Sequence, residues 1–321
     1  MSRRFLVAPD SFKGTFGAAA VAEAIAAGIE TAGGTADRCP VADGGEGTMG
    51  VLLGALGSET RKAEVHDPLR RPIEASFGIL ADGRTAVVEA AQASGLPLVA
   101  PEERDAERAD TFGTGELIVA AIEAGAGRIL LAAGGSAGTD GGRGAIEALG
   151  EAGLLGTAAT EVLCDVRTPF EEAARVFAPQ KGADAEAVKR LSERLNAIAA
   201  ELPRDPRGVP MTGCAGGLSG GLWAYGATLR SGAEFVLDVL DFDRRLAWAD
   251  AVVSGEGRFD AQSLEGKIVG AVAARCTASG MPLHLIVGQN GLGGQLPPAI
   301  SSLRAASGLE EIRAAGGELP S

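Results

Sequence analysis

The stretch Val41-Ala42-Asp43-Gly44-Gly45-Glu46-Gly47-Thr48 places two carboxylates within a run of three glycines, directly ahead of an apolar helical pattern. Glycine permits backbone conformations and close ligand approach that other residues prevent, and the first turn of a helix has N–H groups without intrahelical partners. Such a segment is typical of an anion site. The carboxylates would repel a bare phosphate, so they indicate a metal–phosphate ligand or a base directed at a hydroxyl. The structural alternative is a tight strand-to-helix turn with a capping aspartate.

The composition predicts a globular protein with an ordinary apolar content. The chain has 321 residues, of which 46% are hydrophobic and 22% charged, and this length favours two domains. Its 48 glycines are roughly double the average usage of about 7% and cluster mostly in loops. A net charge of −13 argues against nucleic acid or an anionic membrane as partner, because both are bound through Lys and Arg. An anionic substrate therefore requires a local basic patch.

Cysteines, histidines and the amino terminus give no sign of a metal centre or of export. Cys39, Cys164, Cys214 and Cys276 are far apart and outside paired metal spacings, which predicts ordinary buried thiols. The two histidines are not arranged as a zinc site, and His284 lies in an apolar run that favours a core position. The apolar run near the amino terminus is too short for a signal sequence or a membrane span, so we expect a cytoplasmic protein.

Buried strand patterns recur ahead of loops that carry charged residues. The first such pattern, Phe5-Leu6-Val7-Ala8, leads into a loop with Asp10 and Lys13 and then a helix. A second short strand delivers Asp43 and Glu46 at its carboxyl end. Ligands of open parallel sheets bind at the carboxyl ends of strands. The side chains of both loops are therefore expected to face one crevice.

A second glycine-rich loop, Gly134-Gly135-Ser136-Ala137-Gly138-Thr139-Asp140-Gly141-Gly142, also lies between a strand and a helix pattern. It lacks the Gly-Lys-Ser/Thr ending of a P-loop, and its glycine spacing differs from the dinucleotide fingerprint. The glycines occur with hydroxyls and Asp140, which favours phosphate or substrate binding over a purely structural turn. Lys181, in a later loop, is a further candidate ligand, with a solvated surface lysine as the alternative.

Three further regions complete the predicted architecture. Ala251-Val252-Val253-Ser254 is a buried strand followed by the glycines and charges of Gly255–Asp260, and another strand ends in Asp165. Between residues 64 and 89, short apolar runs on either side of the turn Asp82-Gly83 predict antiparallel strands. The chain is therefore expected to be α/β, with antiparallel strands at the entry to a second domain.

Six segments match one family pattern in order along most of the chain. They are Val7–Gly14, Val41–Thr48, Thr114–Ile118, Gly134–Gly142, Phe177–Gly182 and Ser254–Asp260. Together they resemble the type I glycerate kinase family, and several blocks of this length are specific where one would not be. The resemblance implies a kinase that uses ATP and Mg²⁺ to phosphorylate glycerate, usually at the 2-hydroxyl to give 2-phosphoglycerate.

The resemblance also implies a fold of two α/β domains with an interdomain cleft. We expect a discontinuous flavodoxin-like domain with a parallel sheet from residues 1–60 and 245–321. Residues 61–244 are expected to form a second α/β domain with a mixed sheet.

Phosphoryl transfer needs in-line positioning, neutralisation of charge and a group that orients or deprotonates the attacking hydroxyl. We assign that last role to Asp43, and we expect Lys13 and Arg258 to hold the carboxylate or the transferring phosphoryl group. The predicted substrate- and phosphate-binding residues are Asp10, Ser11, Gly44, Gly45, Glu46, Gly134, Gly135, Ser136, Asp140, Lys181, Gly255 and Gly257. The predicted Mg²⁺ ligands are Glu256, Asp260 and Asp165.

Departures from the family pattern leave other functions open. The segment between residues 142 and 162 is short, Gly138-Thr139 stands where Thr-Asn is usual, and Arg167-Thr168-Pro169-Phe170 replaces Asp-Asn-Pro-Leu. The carboxyl-terminal helix is expected to be truncated after Ile312. The alternatives are a kinase for another small hydroxy acid and a non-catalytic nucleotide- or ligand-binding relative. Under each of them we expect a monomer or homodimer.

Overall fold

The chain forms two compact α/β units in a computed structural model that describes residues 2–264, 267–292 and 296–319. The smaller unit comprises Met1–Asp43 and Ala233–Ser321, and the larger unit comprises Gly44–Gly232. Among the described residues, no helix combines the length and apolar character needed to cross a bilayer.

Strands and helices alternate along most of the chain. The strands are β1 (Arg4–Pro9), β2 (Thr35–Arg38), β3 (Ser58–His66), β4 (Pro72–Leu80), β5 (Thr85–Glu89), β6 (Arg128–Ala132), β7 (Ala159–Cys164), β8 (Thr228–Ser231), β9 (Ala251–Gly255), β10 (Arg258–Phe259), β11 (Leu283–Val287), β12 (Gln289–Asn290) and β13 (Ser302–Ala305). The helices are α1 (Ala18–Thr31), α2 (Thr48–Leu56), α3 (Ala91–Ser94), α4 (Phe112–Glu123), α5 (Arg143–Glu151), α6 (Ala173–Phe177), α7 (Ala185–Glu201), α8 (Leu218–Ala224), α9 (Gly232–Val239), α10 (Phe242–Trp248), α11 (Ile268–Ser279) and α12 (Leu309–Gly317).

The smaller unit is built on a parallel sheet with the strand order β13-β11-β9-β1-β2. Numbered within the unit, this order is the flavodoxin-like 2-1-3-4-5, which confirms the predicted fold class. The strands β9 and β11 are buried along their whole length, as expected when helices cover a parallel sheet. Ile25 of α1 and Ile312 of α12 join Val7, Val253 and Ile286 in one core cluster.

The larger unit is built on a mixed sheet with the strand order β3-β4-β5-β6-β7-β8, as predicted. The strands β3, β4 and β5 pair in antiparallel fashion, and β5 to β8 pair in parallel. Leu117 of α4 and Leu218 of α8 join Val88, Leu131 and Val162 in its core. The parallel half places the carboxyl ends of β5, β6 and β7 at one edge of the sheet.

The unit boundaries differ from the predicted positions after residues 60 and 244. The helix α2 contacts β4 and β5, so it belongs to the larger unit, and the first boundary follows Asp43. The helix α10 contacts β1 and belongs to the smaller unit, and the second boundary follows Gly232. Packing partners far away in sequence, which local patterns do not reveal, decide to which unit each helix belongs.

The four cysteines and His284 occupy the core positions that their sequence context predicts. All four thiols are free and buried. His284 is also buried, and its Nδ1 lies 2.8 Å from the Ser302 hydroxyl. Burial lowers the pKa of His284, which favours the neutral imidazole.

The carboxyl-terminal helix is longer than predicted, because α12 continues past Ile312 to Gly317. It packs closely on α1 through glycines. A Cβ at Gly28 would lie 1.9 Å from the carbonyl oxygen of Arg313, and a Cβ at Gly316 would lie 2.5 Å from that of Ile25. The two backbones therefore approach more closely than any side chain would permit.

The substitution Gly28→Ala is expected to lower the free energy of unfolding by about 1–3 kcal/mol, because the added methyl forces α1 and α12 apart. Gly150→Ala is the matched control, since a Cβ there meets no atom within 4 Å. The control is expected to stabilise α5 by about 0.5–1 kcal/mol. Urea unfolding measures both values, and equal stability of the two variants would contradict the close helix contact.

Candidate functional site

A pocket of about 410 Å³ opens at the carboxyl ends of the strands of the smaller unit. Its lining residues are Asp10, Ser11, Phe12, Lys13, Thr15, Asp43, Glu256, Gly257, Arg258, Asp260, Lys267, Gly288, Gln289 and Ser307. Most of them lie in the loops that follow β1, β9, β11 and β13. Open parallel sheets bind their ligands at this edge.

Three buried carboxylates lie at the base of this pocket. Asp10, Asp43 and Glu256 expose 4%, 2% and 9% of their surface. Burial, reinforced by the negative charge of Asp43, raises the pKa of Asp10 to about 8. Burial also raises the pKa of Glu256. Because buried like charges disfavour each other's ionised form, this group favours a ligand that brings positive charge or a hydroxyl.

Glu256 has a carboxylate oxygen that suits a cation. Its Oε1 is buried and accepts no hydrogen bond from the described residues, although the Ser263 hydroxyl bonds to the carboxylate. A buried polar atom in this state costs free energy unless a ligand satisfies it. No cluster of three or more acidic, His or Cys side chains able to enclose a metal occurs in the described parts of the chain. The site therefore fits Mg²⁺ that also binds water and phosphate oxygens, rather than a closed protein cage.

Three basic side chains line the same pocket. Lys13 Nζ lies 3.9 Å from Asp43 Oδ2, and Arg258 Nε lies 3.6 Å from Asp260 Oδ2. The side chains of Lys13 and Arg258 are 53% and 67% exposed. Exposed ion pairs contribute little to stability, so both cations can turn towards an anionic ligand at small cost. The pocket thus supplies the local basic patch that an acidic protein needs.

Lys267 is the pocket cation that the sequence assignment missed. It directly precedes α11, and its positive charge opposes the rise in the pKa of Glu256. The usable sequence signal was its position at the start of a helix that follows the Gly255–Asp260 loop.

The other predicted residues of this unit shape the backbone around the pocket. The N–H of Ser11 donates to Asp10 Oδ1 at 2.6 Å. A Cβ at Gly255 would lie 1.9 Å from the carbonyl oxygen of Ile286, so this glycine permits β9 to pack against β11. Gly257 lines the pocket, where a Cβ would lie 3.2 Å from the backbone N of Lys13.

The start of α2 already holds a protein carboxylate. The N–H of Met49 donates to Glu89 Oε1 at 2.7 Å, and the Gly47 N–H also bonds to this carboxylate. Glu89 is buried at the end of β5. Negative charge at a helix start is favourable, and here Glu89 supplies it. The anion position that the opening stretch predicted for a ligand is therefore occupied from within, by a residue that the sequence assignment did not include.

The glycines of the opening stretch serve close packing. Gly44 has a φ of +96°, and a Cβ there would lie 2.8 Å from the Cα of Gly232. A Cβ at Gly134 would lie 2.6 Å from the Cα of Gly45. The side chain of Glu46 is exposed. In the larger unit, Gly44, Gly45 and Gly134 therefore bring two loops together at the carboxyl ends of the strands.

Asp140, a predicted binding residue, accepts hydrogen bonds from within the protein. It is 1% exposed, and its carboxylate accepts hydrogen bonds from the N–H groups of Gly142 and Gly144 at the start of α5. The N–H and hydroxyl of Thr111 donate to the same carboxylate. Asp140 therefore satisfies the helix start itself, as Glu89 does for α2. Gly134, Gly135 and Ser136, near the end of β6, stay predicted phosphate-binding residues.

Lys181 is buried, not the solvated surface lysine of the alternative interpretation. Its Nζ donates to Ser136 Oγ at 2.9 Å and to the carbonyl oxygen of Gly138 at 2.5 Å. Burial lowers the pKa of Lys181 to about 8. Asp165 lies in the same unit and accepts a hydrogen bond from Cys214 Sγ at 3.1 Å. The predicted Mg²⁺ ligands are thus divided between the two units.

Comparison with known proteins identifies the family. Residues 5–159 and 151–309 match the model of the glycerate kinase family. The chain belongs to the glycerate kinase family. It is 39% identical to a glycerate kinase from Bacillus subtilis (strain 168), over 89% of this chain and 85% of the relative. It is 38% identical to a glycerate 2-kinase from Escherichia coli (strain K12), over 83% of this chain and 80% of the relative.

A solved structure supports the same assignment. The crystal structure of a putative glycerate kinase 2 from Salmonella typhimurium LT2 matches with a TM-score of 0.81 and 32% identity. The match covers 99% of this chain and 97% of the other. The architecture of this glycerate kinase family member is therefore shared along nearly its whole length.

The substitution Asp10→Asn is expected to flatten the pH dependence of stability. The ordinary aspartate pKa is 3.8, and in the folded chain the pKa of Asp10 is about 8. Between these values the folded chain keeps a proton that the unfolded chain releases, so the stabilising contribution of this proton is lost as the pH rises through about 8. The thermal midpoint of the ligand-free chain should therefore fall less steeply for the variant over this range. If the thermal midpoints of the unsubstituted chain and of Asp10→Asn changed in parallel with pH, this result would contradict the raised pKa of Asp10.

Removal of the Glu89 carboxylate is expected to destabilise the chain, because the N–H groups of Gly47 and Met49 would lose their acceptor. We expect Glu89→Ala to lower the free energy of unfolding by about 1–3 kcal/mol, and Glu89→Gln to lower it less because the amide oxygen still accepts. The exposed control Glu151→Ala should change stability by less than about 0.5 kcal/mol. Urea unfolding tests the three variants, and a Glu89→Ala variant as stable as the control would contradict this role.

Proposed function

We propose that this chain catalyses ATP-dependent phosphorylation of glycerate at the 2-hydroxyl, giving 2-phosphoglycerate and ADP. The observation that carries the proposal is the pocket of the smaller unit, where Asp10, Asp43 and Glu256 are buried beside the cations Lys13 and Arg258. Glycerate carries one carboxylate, which the pocket cations can bind, and two hydroxyls, which can donate hydrogen bonds to the buried carboxylates. Relatives that bear the names glycerate kinase and glycerate 2-kinase support the choice of substrate.

Asp43 is the residue that orients or deprotonates the attacking hydroxyl. Its carboxylate is nearly fully buried, lines the pocket and has Lys13 Nζ at 3.9 Å as a charge partner. A general base must lie within hydrogen-bond reach of the proton that it accepts, and a hydroxyl bound in this pocket meets that requirement. Asp10 has a different role, because its raised pKa of about 8 favours the protonated carboxyl, which can donate a hydrogen bond to a reactant.

The pocket cations bind the anionic parts of the reactants. Lys13, Arg258 and Lys267 hold the glycerate carboxylate or the transferring phosphoryl group, whose charge they stabilise during transfer. Glu256 and Asp260 would hold Mg²⁺, which neutralises phosphate charge when it is bound. Asp165 is the less suited Mg²⁺ ligand, because its Oδ1 already accepts a hydrogen bond from Cys214.

In the larger unit, we assign nucleotide phosphates to the segment Gly134–Ser136. This segment follows β6 directly, at the edge where parallel sheets bind ligands. The positive charge of Lys181 lies against it, through the contact with Ser136 Oγ. We place the protein in the cytoplasm, where ATP is available as the phosphoryl donor.

The test of this function is ADP release by the purified chain with MgATP and each enantiomer of glycerate. Coupling the product to enolase alone reports phosphorylation at the 2-hydroxyl, because only 2-phosphoglycerate feeds enolase directly. A signal that also requires a phosphoglycerate mutase would assign the 3-hydroxyl. Turnover with other small hydroxy acids but not with glycerate would overturn the choice of substrate. Nucleotide binding without turnover would overturn the kinase assignment.

Asp43→Asn is expected to lower kcat at least about hundredfold, because a general acid–base group typically contributes 10²–10⁴ in rate. The exposed residue Glu310 provides the matched control, and Glu310→Gln should keep the original kcat. Steady-state kinetics at saturating glycerate and MgATP measure both variants. A loss of only about tenfold, equivalent to about 1.4 kcal/mol, would reduce Asp43 to a positioning role, and near-normal turnover would remove it from the mechanism.

A further inference from the structure

Lys181 is an unusual lysine because its charged end is inside the larger unit. Lysine is almost never fully buried unless it is paired, yet this residue is only 3% exposed. It ends a short 3₁₀ turn, Pro179–Lys181, that follows α6. The free-energy cost of burying an ammonium group must be offset by its hydrogen bonds and by neighbouring charge.

Two hydrogen bonds of this ammonium group go to one loop. Nζ donates to Ser136 Oγ at 2.9 Å and to the Gly138 carbonyl oxygen at 2.5 Å, and both acceptors lie between β6 and α5. Hydrogen bonds from a charged donor are stronger than those between neutral groups. Lys181 therefore ties the middle of this loop to a segment more than forty residues later in the chain.

The remainder of the loop is held by neutral or carboxylate contacts. The Ala137 N–H donates to the carbonyl oxygen of Ser94, and the Gly141 N–H donates to that of Gly216. Asp140 fastens the end of the loop to the start of α5. The segment around Ser136 thus depends on Lys181 for its charged contact.

The charges around Lys181 are compatible with an ammonium group that stays in place. Asp140 and Asp165 oppose the effect of burial on its pKa, as does Cys214. Because Nζ is buried among protein groups, it is not positioned to meet a phosphate from solvent. A direct ligand role and an internal role make different predictions for the chain without ligand.

We propose that Lys181 is a positioning residue, which through Ser136 Oγ and the Gly138 carbonyl oxygen holds the Gly134–Gly142 loop in the conformation that binds nucleotide phosphates. This inference rests on the proposed kinase function. The lysine contacts the loop and not the nucleotide, and its positive charge behind the loop adds to the attraction for phosphate.

The experiment uses the full chain with Lys181→Met and the matched control Lys189→Met, which removes an exposed lysine from α7. Hydrogen exchange of the ligand-free proteins reads the loop directly, because the hydrogen-bonded N–H groups of Ala137 and Gly141 report its order. We expect exchange within residues 133–142 to rise at least about tenfold in Lys181→Met and to stay unchanged in the control. A lysine that only binds phosphate would leave exchange of the ligand-free loop unchanged, and this result would overturn the proposal.

Kinetics separate positioning from general damage. We expect KM for ATP to rise at least about tenfold in Lys181→Met, an increase equivalent to about 1.4 kcal/mol, while KM for glycerate stays within about twofold. Lys181→Arg should restore part of the ATP affinity because it keeps a charged donor. An equal rise in KM for ATP and for glycerate, or an unchanged KM for ATP, would contradict the proposal.

A second variant covers the case in which Lys181→Met does not fold. Ser136→Ala removes one acceptor and leaves the ammonium group in place, so it should give a smaller rise in loop exchange and in KM for ATP. Ser136→Ala with unchanged loop exchange would overturn the proposal. Failure of the kinase function is distinguishable, because the original chain would then release no ADP with glycerate while the exchange difference at the loop would remain.

Discussion

Buried carboxylates are the constraint on which this structure depends, because each buried charge requires donors, a cation or a proton. Glu89 and Asp140 meet this requirement inside the protein, where they accept N–H groups at the starts of α2 and α5. Burial raises the pKa of Glu89 as well as those of Asp10 and Glu256. Glu256 differs because its Oε1 accepts no hydrogen bond from the described residues. Glu256 therefore keeps a carboxylate oxygen that a ligand can satisfy, whereas Glu89 and Asp140 accept N–H groups of the protein.

The hydrogen bonds of Glu89 and Asp140 also indicate what the glycines of the two glycine-rich loops do. Their sequences combine glycines with acidic residues, a pattern that predicts anion binding at a helix start. In the larger unit, Asp140 of the loop itself accepts N–H groups at the start of α5, and Glu89 from the end of β5 accepts those at the start of α2. The glycines instead allow loop backbones to approach closely, as at Gly44 and Gly134.

The pocket of the smaller unit combines rigid and adjustable groups in a way that suits phosphoryl transfer. Buried acids are held by the core of the parallel sheet, and such fixed groups favour electrostatic preorganisation. Lys13 and Arg258 are more than half exposed and can follow the charge of a bound reactant. Membership of the glycerate kinase family gives this arrangement its chemical context.

The resemblance to the family gave the flavodoxin-like and mixed sheets. The sequence by itself determined the α/β class, the antiparallel strands between residues 64 and 89, and the pocket residues that directly follow β1 and β9. These features depend on local apolar periodicity and on loops that come straight after a strand, so they are readable along the chain. Only the tertiary structure decided the unit boundaries and the hydrogen-bond partners of Glu89, Asp140 and Lys181. Met49 lies 40 residues from Glu89, Ser136 lies 45 from Lys181, and Thr111 lies 29 from Asp140. A local pattern carries no information about which distant N–H group or side chain satisfies a buried charge.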